Sequence, residues 1–191
     1  MRKDRIIMLA FAIVCCYLTS CKEEKDNHKE RWMITNQNAL IAIKGKYPEY
    51  KELRSPGNEG SIYYKVLKAG QGTDSIYFTS IVSCYYKGWY IADYPEYNIT
   101  SGDKFRQQLF DDGPPVSFTV KDSYISSTGW TITAGWKTAL QHMVKGDKWE
   151  IWEPYQLGHG RNDYTIASSL KIPGYSTLVY ELEVTNVIGV Y

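Results

Sequence analysis

The chain has 191 residues, with 22 Lys and Arg against 21 Asp and Glu, for a formal net charge of +1. A balance so close to neutral excludes a nucleic-acid partner held by a basic surface. Hydrophobic residues make up 43% and aromatics 15%, so one domain with an aromatic core and a short appendage is expected.

Arg2, Lys3 and Arg5 make a positive start, and Ile6 to Leu18 is an apolar run of 13 residues. That run is too short for a mature transmembrane helix and fits the centre of a secretory signal. Lys22-Glu23-Glu24-Lys25-Asp26 follows as a charged, solvated tether. Arg31 to Lys44 reads as an amphipathic helix with Trp32, Ala39 and Ile43 on one face, and Tyr47-Pro48 bars its continuation. The helix is expected to lie outside the core and pack against it. Ser61 to Lys68 and Tyr77 to Tyr90 read as strands, with Gly70-Gln71-Gly72 turning between them. Ile91 to Gln108 has weak periodicity and reads as a long loop, and Val116 to Val120 alternates as a strand after Pro114-Pro115.

Trp136, Leu140 and Met143 recur at i, i+4 and i+7, one apolar helical face, and Gly146 stops the helix. Trp149-Glu150-Ile151-Trp152-Glu153 alternates apolar and charged like a half-buried strand, which Pro154 ends. Thr177 to Val187 reads as the closing strand. Strands dominate around one short internal helix, an α+β arrangement. Of the four cysteines, Cys15 and Cys16 lie in the signal, Cys21 ends it, and Cys84 sits in a strand as a buried, inert thiol. His28, His142 and His159 make no metal spacing, and no G-x-S-x-G or phosphate loop occurs, so neither a metal nor a cofactor is expected.

Leu18-Thr19-Ser20-Cys21 resembles the bacterial lipobox, which implies cleavage before Cys21 and lipidation of that cysteine. A Lys followed by acidic residues directly after it resembles the surface-export signal of lipoproteins in Bacteroidetes-type bacteria. The implied location is the outer membrane, on its periplasmic face or at the cell surface.

The stretch Gly135 to Gly160, GWKTALQHMVKGDKWEIWEPYQLGHG, resembles the FKBP family of peptidyl-prolyl isomerases. Their pattern there is roughly G-W-x-x-G/A-L/V-x-x-M-x-x-G, a strand, then P-x-x-x-x-Y-G. The resemblance extends over Ile62 to Val187 and implies an antiparallel β-sheet wrapped around one short helix, with an aromatic pocket between them. It divides the chain into a signal peptide (1–20), a tether (21–30), an N-terminal helical appendage (31–60) and an FKBP-like domain (61–191). Trp136 matches the pocket floor, Tyr86 the tyrosine of the H-Y-x-G strand, and Phe118 an aromatic wall. Ile132 and Thr133 match the V-I pair, where a backbone N–H meets the substrate carbonyl. Ile172 matches the apolar residue of the I-P loop, and Tyr180 stands for a pocket phenylalanine. The family's F-D pair is altered: Phe105 fits by spacing but precedes Arg106, leaving Asp111 as the alternative orienting acid. His159 replaces the tyrosine of Y-G and is expected to titrate near pH 6.5, changing the pocket there.

The resemblance implies a lipid-anchored prolyl isomerase acting on proline-containing polypeptides of the envelope or secreted proteins, as a monomer bound to the membrane through Cys21. The alternative is an FKBP-like surface lipoprotein of weak or no activity that binds a peptide or glycan through Trp89, Tyr90, Tyr94 and Tyr97.

Overall fold

A computed structural model of the chain describes residues 29–90, 106–107, 114–166 and 170–189. Two units divide the chain, Met1–Thr35 and Asn36–Tyr191. The described residues of the first, 29–35, are helical; in the second, residues 36–46 form helix α1. α1 stops ahead of Tyr47-Pro48, because the residue before a proline is pushed out of the helical region.

Within the second unit the elements run β1 (Lys51–Arg54), β2 (Ser61–Lys68), β3 (Ile81–Tyr90), β4 (Arg106–Gln107), β5 (Val116–Thr119), β6 (Tyr124–Ile125), β7 (Trp130–Thr131), α2 (Ala134–Leu140), β8 (Lys148–Glu153), β9 (Tyr164–Ile166), β10 (Leu170–Ile172) and β11 (Leu178–Ile188). The main sheet has the order β1-β2-β8-β11-β3-β4, and β5 also pairs with β3. Pairing is antiparallel throughout, with β9–β10 and β6–β7 as separate short ribbons. The α+β class expected from the sequence is the one observed.

One face of the sheet carries the main core. Val82, Cys84 and Tyr86 of β3, Trp149 and Ile151 of β8, and Tyr180, Leu182 and Val184 of β11 pack with Trp136, Ala139 and Leu140 of α2. The other face carries a second, smaller cluster: Trp152 and Val179 meet Ala39 and Ile43 of α1, with Tyr50 and Tyr63 packed against them. The Asn36 side-chain oxygen accepts from the Thr177 backbone N–H at 2.6 Å, tying α1 to the start of β11.

Several expectations change here. Residues 31–60 are not all helical appendage: β1 joins the sheet edge beside β2, and 36–46 covers the second face. β8 is not half-buried, because it lies between β2 and β11 with both faces covered, and Glu150 and Glu153 are 5% and 0% exposed. Charge in an alternating pattern points outward only when the outer face meets water. Here the Tyr50 hydroxyl and the Trp152 indole (2.9 Å) both donate to Glu150 Oε1 under α1. The strand expected from Tyr77 starts at Ile81, since Ser80 and Tyr77 close a turn by two reciprocal bonds of 3.0 Å.

α2 is shorter than the apolar spacing indicated. Thr133 caps its start, its hydroxyl accepting from the Trp136 N–H at 3.4 Å, and Gln141 caps its end. Met143 remains buried beyond the helix, and Gly146 (φ +90°) makes the later turn. Gly70 packs against that turn, where a Cβ would come within 2.4 Å of the Lys145 carbonyl oxygen. Its N–H donates to Asp147 Oδ1 at 2.7 Å, so Gly70 docks the connection after β2 onto the entry to β8 rather than forming a hairpin turn.

Candidate active site

Tyr86 on β3 and Tyr180 on β11 project from the same sheet face, because Tyr86 lies opposite Leu182 and Tyr180 opposite Gly88. Glycine at position 88 leaves the space above Tyr180 free of a cross-strand side chain. The Trp136 indole stands edge-on to both phenols, at 5.0 Å from Tyr86 and 5.1 Å from Tyr180. Phe118 of β5 adds a wall 6.3 Å from Trp136. The spacings fall in the range where aromatic edges and faces attract. Trp136 and Tyr180 are wholly buried and Tyr86 and Phe118 nearly so.

Thr133 sits at the mouth of α2 in extended backbone (φ −81°, ψ 167°), directly after the buried Ile132. Among the described residues no hydrogen bond takes the Thr133 backbone N–H, whereas the neighbouring Ile132 N–H donates to Ser123. A buried amide left in that state is a donor available to a bound carbonyl. Beyond it, His159 stacks on Tyr164 at 4.4 Å, and Tyr164 lies opposite Ile172 in the β9–β10 ribbon. The Tyr164 hydroxyl bonds that of Thr131, which fixes the ribbon to β7.

The family model for FKBP-type peptidyl-prolyl cis-trans isomerases matches residues 75–185. The chain belongs to that family. The FKBP-type 22 kDa peptidyl-prolyl cis-trans isomerase of Escherichia coli is 26% identical over 152 residues, which are 78% of this chain and 62% of that protein. FK506-binding protein 1A of Neurospora crassa is 30% identical over 126 residues, 66% of this chain and 88% of the other. A crystal structure of a peptidyl-prolyl cis-trans isomerase from Pseudomonas syringae superposes with a TM-score of 0.59 at 28% identity, covering 84% of this chain and 96% of that one. The chain therefore spans only about three fifths of the Escherichia coli relative.

Of the site residues expected for an FKBP, Tyr86, Phe118, Ile132, Thr133, Trp136, His159, Ile172 and Tyr180 all lie in one region of the second unit. Phe105 and Asp111 fall outside the described residues, as does the lipidation candidate Cys21. Trp130, which no sequence motif singled out, is wholly buried 5.8 Å from Tyr86 and 6.3 Å from both Tyr180 and His159. Nor did a motif single out Tyr164. A two-residue strand and a three-residue strand have no period to detect, and only Gly129 (φ +65°) ahead of Trp130 marks a turn there.

The protonation states make the site apolar at neutral pH. Burial pushes the Tyr180 phenol well above its ordinary value of 10.0, aided by the neighbouring Glu153, while the Trp136 indole pulls the other way. Burial lowers His159 to about 4, which overturns the expected switch near pH 6.5. Its Nε2 is buried and has no hydrogen-bond partner among the described residues. The unfolded chain takes up this proton near 6.5 and the folded chain only near 4, so His159 stabilises the fold above that window and the gain is lost as pH falls through it. Thermal melts from neutral pH to about 4 should show a drop that His159→Gln lessens, and turnover should show no inflection near 6.5 that His159→Gln removes. Cys84 is fully buried and its thiol is pushed up, which makes it inert. Among the described residues no group of three or more His, Cys, Asp or Glu could hold a metal.

Proposed function

We propose that this chain accelerates cis–trans isomerisation of X-Pro bonds in polypeptides of the bacterial envelope or secreted proteins, held at the outer membrane by a lipid on Cys21. The observation that carries the catalytic part is the Thr133 amide, which has no hydrogen-bond partner among the described residues, in the same region as the Trp136, Tyr86, Phe118 and Tyr180 rings.

The amide C–N bond resists twisting with a barrier of about 18–20 kcal/mol, because resonance moves charge from nitrogen to oxygen. A twisted amide loses that charge separation. Apolar walls therefore favour it over the planar ground state, and preference for the transition state alone raises turnover. Each ~1.4 kcal/mol of preference gives about tenfold. The Thr133 N–H orients the substrate carbonyl while the rings surround the proline. The reaction forms and breaks no covalent bond, so no nucleophile is needed. A coupled prolyl-peptide assay tests this, with acceleration above the uncatalysed rate as the expected result.

Lipid anchoring rests on Leu18-Thr19-Ser20-Cys21 and the charged residues after it. Three acyl chains would hold the protein firmly, where one alone binds marginally. No helix among the described residues is long and apolar enough to cross a membrane. Cys21→Ser is expected to move the chain from the membrane fraction to the soluble one; equal membrane retention of both forms would remove the anchor from the account.

A further inference from the structure

Glu153 is the last residue of β8 and shares the inner face with Trp149 and Ile151, where its neighbours are otherwise apolar. Its side chain is wholly buried. Oε1 accepts from the Gly135 N–H at 2.9 Å. Oε2 is buried with no hydrogen-bond partner among the described residues. Gly135 makes the room: a Cβ there would fall 2.3 Å from Glu153 Oε1. The Gly135 N–H also reaches the Leu157 carbonyl at 3.1 Å. The carboxyl thus sits where the start of α2, with Thr133 and Trp136, meets the 154–160 turn, with His159.

We propose that Glu153 is a positioning residue for prolyl isomerisation, its carboxyl clamping Gly135 at the start of α2 against the 154–160 turn so that the Thr133 amide and the Trp136 ring hold the geometry the twisted substrate requires. The proposal rests on the isomerase activity proposed above. An uncharged acid suits the place. The titratable group facing it is the Tyr180 phenol of β11, and Glu153 forms no ion pair among the described residues. Burial pushes the carboxyl up to about 8, against the pull of the nearby Thr133 side chain and the Gly135 N–H. Its ordinary value is 4.5, so the fold gains most below that pH and loses the contribution as pH rises through about 8.

The test uses the full chain as wild type, Glu153→Gln and Glu153→Leu, with kcat and KM for a prolyl peptide from about pH 6 to about pH 9.5 and hydrogen exchange of the Gly135 amide. Gln keeps a carbonyl acceptor without the titration; Leu keeps the bulk without the acceptor. In Glu153→Leu, folded by circular dichroism, kcat is expected to fall roughly tenfold with KM little changed, and Gly135 to exchange faster. Wild-type kcat is expected to fall as pH rises through about 8; in Glu153→Gln, kcat at neutral pH stays within about threefold of wild type and that decline disappears. A folded Glu153→Leu with wild-type kcat, or a Glu153→Gln that keeps the alkaline decline, overturns the assignment. Absence of turnover in the wild type would refute the isomerase reading separately. The clamp would then be judged by Gly135 exchange alone, and unchanged protection in Glu153→Leu would refute it.

Discussion

Trp136→Leu is expected to cut prolyl turnover by roughly ten- to a hundredfold, the rate equivalent of about 1.4–2.8 kcal/mol of lost transition-state preference. The indole is wholly buried and touches three walls of the site at once, standing edge-on to Tyr86 and Tyr180 and tilted against Phe118. Leucine fills part of the volume but supplies no aromatic face or indole edge against which to seat a proline. The change also costs stability, since Trp→Ala in a core costs about 3–5 kcal/mol and Leu recovers a share of that. Turnover must therefore be compared in samples shown by near-ultraviolet circular dichroism to be folded at the assay temperature. Trp136→Phe keeps a ring and should lose less. Full turnover in a folded Trp136→Leu would move the chemistry elsewhere.

The second large effect lies on the opposite face of the sheet. Trp152 packs with Val179, Ala39 and Ile43, and its indole N–H donates to Glu150. Trp152→Ala opens a cavity beneath α1 and strips the buried Glu150 of a donor, a combined cost of about 3–5 kcal/mol. At about 2–4 °C per kcal/mol for a chain of this size, the melting temperature should fall by on the order of 10 °C. Turnover per folded molecule should hardly change, because the rings of the prolyl site belong to the separate cluster on the other sheet face. A melting shift under about 2 °C would mean that α1 residues 36–46 contribute little to the fold.

These two residues also show what the sequence made legible. Trp136 was recognisable because glycine, tryptophan and the apolar spacing to Leu140 and Met143 recur in a known order, and that order carried Tyr86, Phe118 and Tyr180 with it. Trp152 looked like one apolar tooth of a half-buried strand. Its true setting depends on α1 covering the outer face, a contact between residues more than a hundred positions apart that no local pattern encodes. Long-range placement also hid Glu153, since a charge at a strand end is read outward unless the Gly135 clearance is known. Trp130 and Tyr164 escaped for a different reason, lying on strands too short to have a period. The titration of His159 could not be read from its type, because burial beside Trp130 and Tyr164 decides it. The long loop over 91–108 was expected from weak periodicity; within it only 106–107 is described, as a short strand on β3.

The Trp136 pocket with its Thr133 amide, unpartnered among the described residues, is proposed to turn over prolyl bonds. The most direct measurement is a coupled isomerisation assay on the full chain at neutral pH, with peptides that vary the residue before proline. The account predicts acceleration above the uncatalysed rate that is lost in Trp136→Leu. A folded chain that leaves the uncatalysed rate unchanged for every peptide would contradict it, and would make this FKBP-type domain a binding module.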